Sequence, residues 1–523
     1  MTNDLEEVSG IGKATADRLR ASGIDTVEKL ASTTPEELTK LKIKGVGEST
    51  ALKYIKNAQK LIKEKPSDTK PKLKKEEAPP KPEKHQKHEP TKKQKPVKGS
   101  NLKELIKKQA ECNIGLVGHV DHGKTTLVKT LTGDWTDRHS EEIERGISIK
   151  LGYSNATILY CPECDEYLTY HMAESARKKG QPRFVCPNCK KNLEFRRNIS
   201  FVDAPGHEIL MATMLSGAFL MNGACLLIAA DDVCPQPQTR EHLAALNIAG
   251  IENIIIIQNK IDAVSKEQAY ENYKQIKAFV KNSIAENAPI IPISAVFGVN
   301  IGLIVRAFEE IIPSPKIRED EEFQFLIARS FDINRPGTEI SKLRGGVIGG
   351  SVLKGKIKVG EEIEIRPGLR VKNDFIPIKT EIVSISQGNN LLEEANLGGL
   401  IGLGTKLDPA LTKGDSLIGH LVGKTNTLPE IVSQVELKVN LLERVIGSEM
   451  QIRVQQLKHN EKLLLVVGTE KTAGIVTKIL KNSYILNLSP PICPLENSIF
   501  AISRIINRRY RLIGYGKLFN QNQ

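Results

Sequence analysis

The segment GHVDHGKT, Gly118 to Thr125, stands directly after the apolar run NIGLV and directly before the helix-forming run KTTLVKTL. A glycine-rich turn joining a strand to a helix and closed by Gly-Lys-Thr fits the phosphate-binding loop pattern, whose amides converge on phosphate oxygens. It requires a parallel α/β sheet around it, with the ligand at the carboxyl ends of the strands. The surrounding sequence supplies that sheet. Between about 110 and 315, the apolar runs ISFVDA, ACLLIAAD, NIIIIQNK and APIIPIS alternate with helix-like stretches such as QTREHLAALNIAG, the signature of a doubly wound domain.

Within the loop, Gly118 and Gly123 allow close approach of the backbone, Val120, Asp121 and His122 form the turn between them, and Thr126 continues into the helix. Lys124 is expected to reach the β and γ phosphates and Thr125 to ligate Mg²⁺. DAPGH follows at the end of ISFVDA. There Asp203 would hold Mg²⁺ through water, the Gly206 amide would sense a γ-phosphate, and His207 would orient the attacking water. NKID, Asn259 to Asp262, ends the strand NIIIIQ. A carboxylate at Asp262 accepts from the N1 and N2 donors of guanine, which adenine lacks. Asn259 would tie the loop together, the Lys260 stem would cover the ring, and Ser294 with Ala295 would offer a backbone amide to the guanine O6. Ser148, in HSEEIERGISIKLGY between the first two motifs, would add a hydroxyl to Mg²⁺ while the γ-phosphate is present and release it on hydrolysis. The expected ligands are therefore GTP or GDP with Mg²⁺, and the expected chemistry is GTP hydrolysis.

Four of the eight cysteines, Cys161, Cys164, Cys186 and Cys189, form two CxxC pairs between the switch segments, while the other four are scattered. Facing CxxC turns close a tetrahedral thiolate sphere, so the segment 161–189 is read as a zinc knuckle. With four protein ligands no position is left for water, which makes the zinc structural.

The net charge of +13 is concentrated: from Lys63 to Lys98 there are 13 lysines against six acids, and seven prolines. So few apolar side chains cannot offset the entropy of ordering, and a disordered linker is expected over 63–105. Its composition suits a solvated spacer and a polyanion-binding tether equally. Before it, VSGIGKATADRLRASG and IKGVGESTALKYIKNA repeat a Gly-apolar-Gly opening followed by helical spacing, with Ala16, Leu19 and Ala51, Leu52, Ile55 as the apolar positions. This resembles a tandem helix-hairpin-helix domain over 1–62, in which Gly10, Gly12, Gly45 and Gly47 let hairpin amides face a phosphate. A small helical domain that only turns its chain or docks a protein is the alternative. After the hinge IIPSPKIRED the pattern changes to short alternating strands: FQFLIARSF, GGVIGGSVL, EEIEIRP and EIVSIS, then VELKVNLL, MQIRVQQL, KLLLVVG, AGIVTKIL and SIFAISRI. Two all-β barrels are expected. The chain is thus read as multidomain: an all-α helix-hairpin-helix domain over 1–62, the linker, an α/β phosphate-loop GTPase domain with its zinc knuckle over 106–316, and all-β barrels over 321–424 and 428–523. No run of about 18 apolar residues and no signal-peptide pattern is present, so a soluble cytoplasmic protein without a membrane partner is expected.

Together GHVDHGKTTL, RGISIKLGY, DAPGHEILMATMLSGA, the knuckle, ADDVCPQPQTREHL, QNKID, SFDINRPGTEISKLRGGVIGGSV, LGGLIGLGTKLDPALTKGDSLIG and LLERVIGSEMQI closely resemble the gamma subunits of archaeal and eukaryotic translation initiation factor 2. The resemblance covers about 110–517. It implies a heterotrimer with alpha and beta subunits, the first barrel contacting alpha and the GTPase domain contacting beta. It also implies binding of methionyl initiator tRNA and its delivery to the small ribosomal subunit, with Tyr153 of the KLGY segment beside the aminoacyl end. Ser148 stands where the family usually has Thr, which keeps the hydroxyl and drops a methyl. The first 100 or so residues have no counterpart in the resemblance, and an RNA contact through 1–98 is the reading offered for them. Competing readings are a selenocysteine-type elongation factor, against which the knuckle and KLGY argue, a GTPase activator of sulfate adenylation, and a nucleic-acid tether with vestigial GTP turnover.

Overall fold

In the computed structural model, the phosphate-loop motif sits where a seven-stranded sheet reverses its winding. The structure describes residues 5, 8, 11–22, 24–34, 38, 39, 41, 46, 48–64, 102–134, 152–178, 180–204, 211–316, 318, 320–372, 374–445 and 452–519. The chain falls into two units, 1–93 and 94–523. The expected linker at 63–105 lies almost wholly outside the described residues.

In the N-terminal unit, α1 (Lys13–Ala21), α2 (Val27–Ser32) and α3 (Glu48–Glu64) enclose a core that includes Leu19, Leu30, Ala51, Tyr54, Ile55 and Ala58. Thr26 caps α2 by accepting from the Lys29 amide at 3.3 Å. Leu52, expected on the apolar face, is exposed. A step of one residue turns the helix by about 100°, so Ala51, Tyr54, Ile55 and Ala58 share the buried stripe and Leu52 does not. Gly10, Gly45 and Gly47 lie outside the described residues. Gly12 has φ −91°, and a Cβ there would meet nothing among the described residues within 4 Å. Among the described residues, neither conformation nor space demands glycine at that position.

After a short helix α4 (Leu102–Leu105), the α/β domain contains β1 (Cys112–Gly118), α5 (Lys124–Thr132), β2 (Gly152–Cys161), β3 (Glu166–Thr169), α6 (Tyr170–Ser175), β4 (Glu194–Asp203), α7 (Met211–Ala218), β5 (Gly223–Ala229), α8 (Pro237–Ala249), β6 (Ile254–Asn259), α9 (Lys266–Val280), β7 (Ile290–Pro292) and α10 (Ile301–Ile311). The order is β3-β2-β4-β1-β5-β6-β7. Strands β4, β1, β5, β6 and β7 are parallel, and β2 runs antiparallel to both β4 and β3. Every residue of β1, β5 and β6 is buried, the pattern of central strands covered on both faces. β4 and β5 flank β1 on opposite sides, so a crevice opens at the carboxyl end of β1, where ligands bind in such sheets.

The first barrel comprises β8 (Gln324–Phe331), β9 (Val347–Lys354), β10 (Ile357–Lys358), β11 (Glu362–Val371), β12 (Asp374–Gln387), β13 (Asn390–Leu392), β14 (Glu394–Ala395), β15 (Ile401–Thr405) and β16 (Leu421–Gly423). The ring β11-β16-β8-β9-β15-β12 closes through pairing of β12 with β11. The second comprises β17 (Val432–Leu441), β18 (Lys462–Val467), β19 (Glu470–Ile479), β20 (Tyr484–Ile492), β21 (Ile499–Ile506) and β22 (Arg509–Leu518), closed in the order β17-β20-β19-β18-β21-β22. Closure satisfies the edges that open sheets leave unpaired. The expected strand MQIRVQQL contributes, among the described residues, a single bridge from Arg453 to Arg444. β20 and β22, by contrast, escape the sequence pattern: Pro490 and Pro491 interrupt one, and Arg509 and Arg511 stud the other.

The barrels pack on the α/β domain. Leu326 and Ala328 of the first and Val466, Ala501 and Leu512 of the second share a core cluster with Leu243 and Leu246 of α8. Gln387 accepts from the Ala110 amide at 2.8 Å, and Lys471 donates to Thr213 of α7 at 2.9 Å.

Candidate nucleotide site and cysteine centre

The loop between β1 and α5 is shaped by two glycines that no other residue replaces. Gly118 has φ +142°, and a Cβ there would stand 2.4 Å from the Leu227 carbonyl oxygen of β5. Gly123 has φ +87°, and its Cβ would stand 2.3 Å from Asn259 Nδ2. Both φ values lie where a side chain is strained. Lys124 folds back over the loop, its Nζ donating to the Gly118 and His119 carbonyls at 3.0 and 2.7 Å. An ammonium so placed can exchange carbonyls for phosphate oxygens. Asp121, with φ +62°, is exposed on the turn, and Val120 before it is half-buried. His122 is fully buried, its Nδ1 donating to the Leu227 carbonyl at 3.0 Å. Burial pushes its pKa down to about 4, so the ring is neutral. Thr126 lies one turn before Thr130, whose Oγ1 donates to the Thr126 carbonyl at 3.0 Å and to the Ala295 carbonyl at 2.8 Å.

Two further motifs converge on this loop. Thr125 Oγ1 donates to Asp203 Oδ2 at 2.9 Å. A hydroxyl and a carboxylate in contact at a buried strand end form a hard oxygen donor set that suits Mg²⁺. Asn259 Nδ2 donates to the His122 carbonyl at 2.9 Å, and Asn259 Oδ1 accepts from the Ala295 amide at 3.0 Å. One carboxamide therefore pins the phosphate loop to the segment after β7. Lys260, with φ +61°, anchors its ammonium on Asp231 at 3.0 Å, and Asp262 is exposed on the same loop. Ser294 and Ala295 are buried, and the Ser294 amide donates to the Val299 carbonyl at 3.3 Å. The Ala295 donor is engaged with Asn259, so a base oxygen arriving there would share or take over that amide. Ser148, Gly206 and His207 lie outside the described residues.

Two placements were not legible beforehand. His242 of α8 accepts from the Gly118 amide through Nδ1 at 2.7 Å. No spacing rule links it to the loop, since it lies 124 positions along the chain. The Tyr153 hydroxyl is buried without a hydrogen-bond partner, beside Arg329 and Asp415 of the first barrel. Burial raises its pKa far above the phenol value. In this arrangement Tyr153 faces the junction of the two domains.

The cysteine cluster lies at the far end of β2. Each of Cys161, Cys164, Cys186 and Cys189 brings its sulfur within 4.8 Å of the other three. Cys161 and Cys189 sulfurs are 3.4 Å apart, Cys164 and Cys186 sulfurs 3.9 Å. Zn–S bonds of about 2.3 Å in a tetrahedron place sulfurs roughly 3.8 Å apart, so the four residues fit zinc with only small shifts of their sulfurs. The Lys191 backbone amide lowers the Cys189 thiol to about 7, preparing one thiolate ligand. Leu159, Leu168, Phe184 and Leu193 pack around the cluster. That shell is small for a stable subdomain, which gives the metal a structural part to play.

Residues 109–314 match the family described as Elongation factor Tu GTP binding domain, and 345–418 match Elongation factor Tu domain 2. Residues 433–518 match Initiation factor eIF2 gamma, C terminal, and 2–64 match the SAM-like Helix-hairpin-helix tandem. Among solved structures, the bacterial selenocysteine-specific elongation factor EF-Sec superposes with a TM-score of 0.58 at 22% identity, over 79% of this chain and 58% of that one. Elongation factor SelB from Methanococcus maripaludis, in complex with the GTP analogue GppNHp, gives 0.56 at 22% identity, over 78% and 79%. These are likenesses of fold. The translation initiation factor 2 subunit gamma of Pyrococcus horikoshii is 55% identical over 413 residues, 78% of this chain and 97% of the relative. That of Methanocaldococcus jannaschii is 54% identical over 415 residues, 79% and 98%. With more than half of the residues shared over nearly the whole length of these relatives, the chain belongs to the family of translation initiation factor 2 gamma subunits, GTP-binding and GTP-hydrolysing factors of translation initiation.

Proposed function

We propose that the chain binds methionyl initiator tRNA in its GTP state, delivers it to the small ribosomal subunit in the cytoplasm, and uses GTP hydrolysis as the timing step. Alpha and beta subunits complete the factor. The working domain scheme is 1–62, 106–316, 321–424 and 428–523. The observation that carries the reading is the convergence of three motifs on one loop: Thr125 on Asp203 at 2.9 Å, and Asn259 on both His122 and Ala295. In this reading Gly118–Thr126 cradles the phosphates, Lys124 neutralises their charge, and Thr125, Ser148 and Asp203 hold Mg²⁺. Asn259, Lys260, Asp262, Ser294 and Ala295 select guanine, and the Gly206 amide reports the γ-phosphate. His207 orients water, so turnover is slow until a partner places it. Zinc on the four cysteines keeps the insertion folded.

Loss of the γ-phosphate releases Ser148 and Gly206, and the segment that carries Tyr153 follows. Tyr153 would leave its place against the first barrel to meet the aminoacyl end of the tRNA. No helix among the described residues is long and apolar enough to cross a membrane. Residues 1–98 serve as an auxiliary RNA-binding arm, supported by the +7 tract between Lys63 and Lys98. Lysines on a tether add affinity that falls steeply with salt.

Filter binding tests this reading with charged initiator tRNA, charged elongator tRNA and isolated small subunits, each with GTP or GDP. Initiator tRNA should bind more tightly with GTP, and by linkage should raise affinity for GTP over GDP by the same factor. Equal tRNA affinities in both nucleotide states would remove the switch. Deleting 1–98 should weaken small-subunit binding most at low salt while leaving GTP binding intact.

A further inference from the structure

The amide of Gly118, the first residue of the phosphate loop, donates to Nδ1 of His242 at 2.7 Å, and the imidazole is only 2% exposed. An N–H donor needs a bare nitrogen to accept it, so His242 is neutral and carries its proton on Nε2. Burial holds its pKa well below the ordinary value, and Lys124, His119 and His122, the charged and titratable groups around the ring, act in the same direction. Gly118 is also paired with Leu227 of β5, whose carbonyl oxygen would stand 2.4 Å from any Cβ added there. The start of the loop is therefore fixed between β5 and a side chain of α8.

The preceding residue on that helix reaches the second barrel. Glu241, also 2% exposed, accepts from Arg511 Nη1 of β22 at 2.7 Å across 270 positions of sequence. Such a buried pair is strongly disturbed when one partner is removed. Leu243 and Leu246 pack in one core with Ala501 and Leu512, so the contact is apolar as well as ionic. A second hold, Lys471 on Thr213, falls on α7.

We propose that His242 is a positioning residue of the phosphate loop, and that the Glu241–Arg511 pair ties its helix to the second barrel so that nucleotide release depends on how that barrel is docked. The proposal rests on the assignment of Gly118–Thr125 to the phosphates. A partner that bound the second barrel and shifted β22 would then change nucleotide exchange without touching the nucleotide.

The test is stopped-flow release of a fluorescent N-methylanthraniloyl-GDP from the full chain, with melting temperature recorded for every variant. His242→Leu should speed release about tenfold, the worth of one buried hydrogen bond. His242→Asn, whose Oδ1 stands where Nδ1 stood, should recover most of that loss. Arg511→Met should speed release about three- to tenfold alone and add little in the His242→Leu background, since both act through one helix. Equal acceleration by the Leu and Asn variants would reduce His242 to a space-filling residue and overturn the proposal. So would effects of His242→Leu and Arg511→Met that multiply in full. If His242→Leu fails to fold, Arg511→Met decides alone: unchanged release overturns the proposal. Asp262→Asn serves as the control. Lost GDP affinity there with normal release from the His242 and Arg511 variants would sink this proposal alone, whereas unaltered affinity in Asp262→Asn would sink the nucleotide-site assignment.

Discussion

Asn259→Ala isolates the contact that brings three motifs together. Asn259 is 3% exposed, and its carboxamide makes two buried hydrogen bonds, to the His122 carbonyl at 2.9 Å and from the Ala295 amide at 3.0 Å. Alanine strands both groups, at about 1–3 kcal/mol for each buried group left unpaired. Gly123 lies against Asn259 Nδ2, so the truncation also opens space at the loop's tightest turn. A total of roughly 2–6 kcal/mol follows, some of it lost from the folded state and the remainder falling on nucleotide binding, which must then order the loop itself. Assigning about half to binding gives a GDP affinity roughly 5- to 100-fold weaker, at about 1.4 kcal/mol per tenfold. Equilibrium titration with fluorescent GDP, paired with thermal melts with and without GDP, separates the two parts. A variant within threefold of the wild-type affinity and with an unchanged melting temperature would refute the pinning argument.

Asp262→Asn should reduce guanine nucleotide affinity by about 10²–10⁴-fold and favour xanthine nucleotides, whose extra carbonyl needs a donor; competition binding with GDP and XDP reads this, and equal binding of the two by wild type would contradict the assignment. Purified protein should hold one zinc per chain by metal analysis, and Cys186→Ser should lose it and lower the melting temperature while GDP affinity stays within about threefold, because the cluster lies away from the loop. Glu470 of β19 gives a pH signature: burial raises its carboxyl to about 8, opposed by the Lys471 amide, and its Oε2 has no hydrogen-bond partner. A folded-state value above the unfolded one means the folded chain holds the extra proton, so this group's contribution is most favourable below about pH 4.5 and declines as pH rises to about 8. Glu470→Gln should remove that decline, its gain over wild type growing from ~1 kcal/mol at pH 5 to ~4 kcal/mol at pH 8 in denaturant titrations, whereas parallel pH profiles would refute it.

The chemistry of the nucleotide and metal sites was legible in the sequence because each motif is local. Gly118 and Gly123 are demanded by φ values and close backbone approach within one turn, and the CxxC pairs carry their own ligand spacing. The alternation of buried runs such as NIIIIQ with amphipathic stretches identified the α/β domain for the same reason: periods of 2 and 3.6 are properties of neighbouring residues. Leu52 shows the limit even there, since a helical run of apolar residues does not say which of them the core takes.

What joins distant parts of the chain was decided by tertiary packing. No local period connects Gly118 with His242, or Glu241 with Arg511, and each pair meets because sheet and barrel cores bring α8 between them. β20 and β22 defied the strand pattern through their prolines and arginines, yet barrel closure pairs them on both sides. A strand's hydrogen bonds are satisfied by its neighbours, whatever its own propensity. Likewise the sequence placed Tyr153 in the switch segment, while packing alone buried its hydroxyl beside Arg329 and Asp415. The residue types set which chemistry is available; the long-range burial of apolar surface sets which side chains reach one another to perform it.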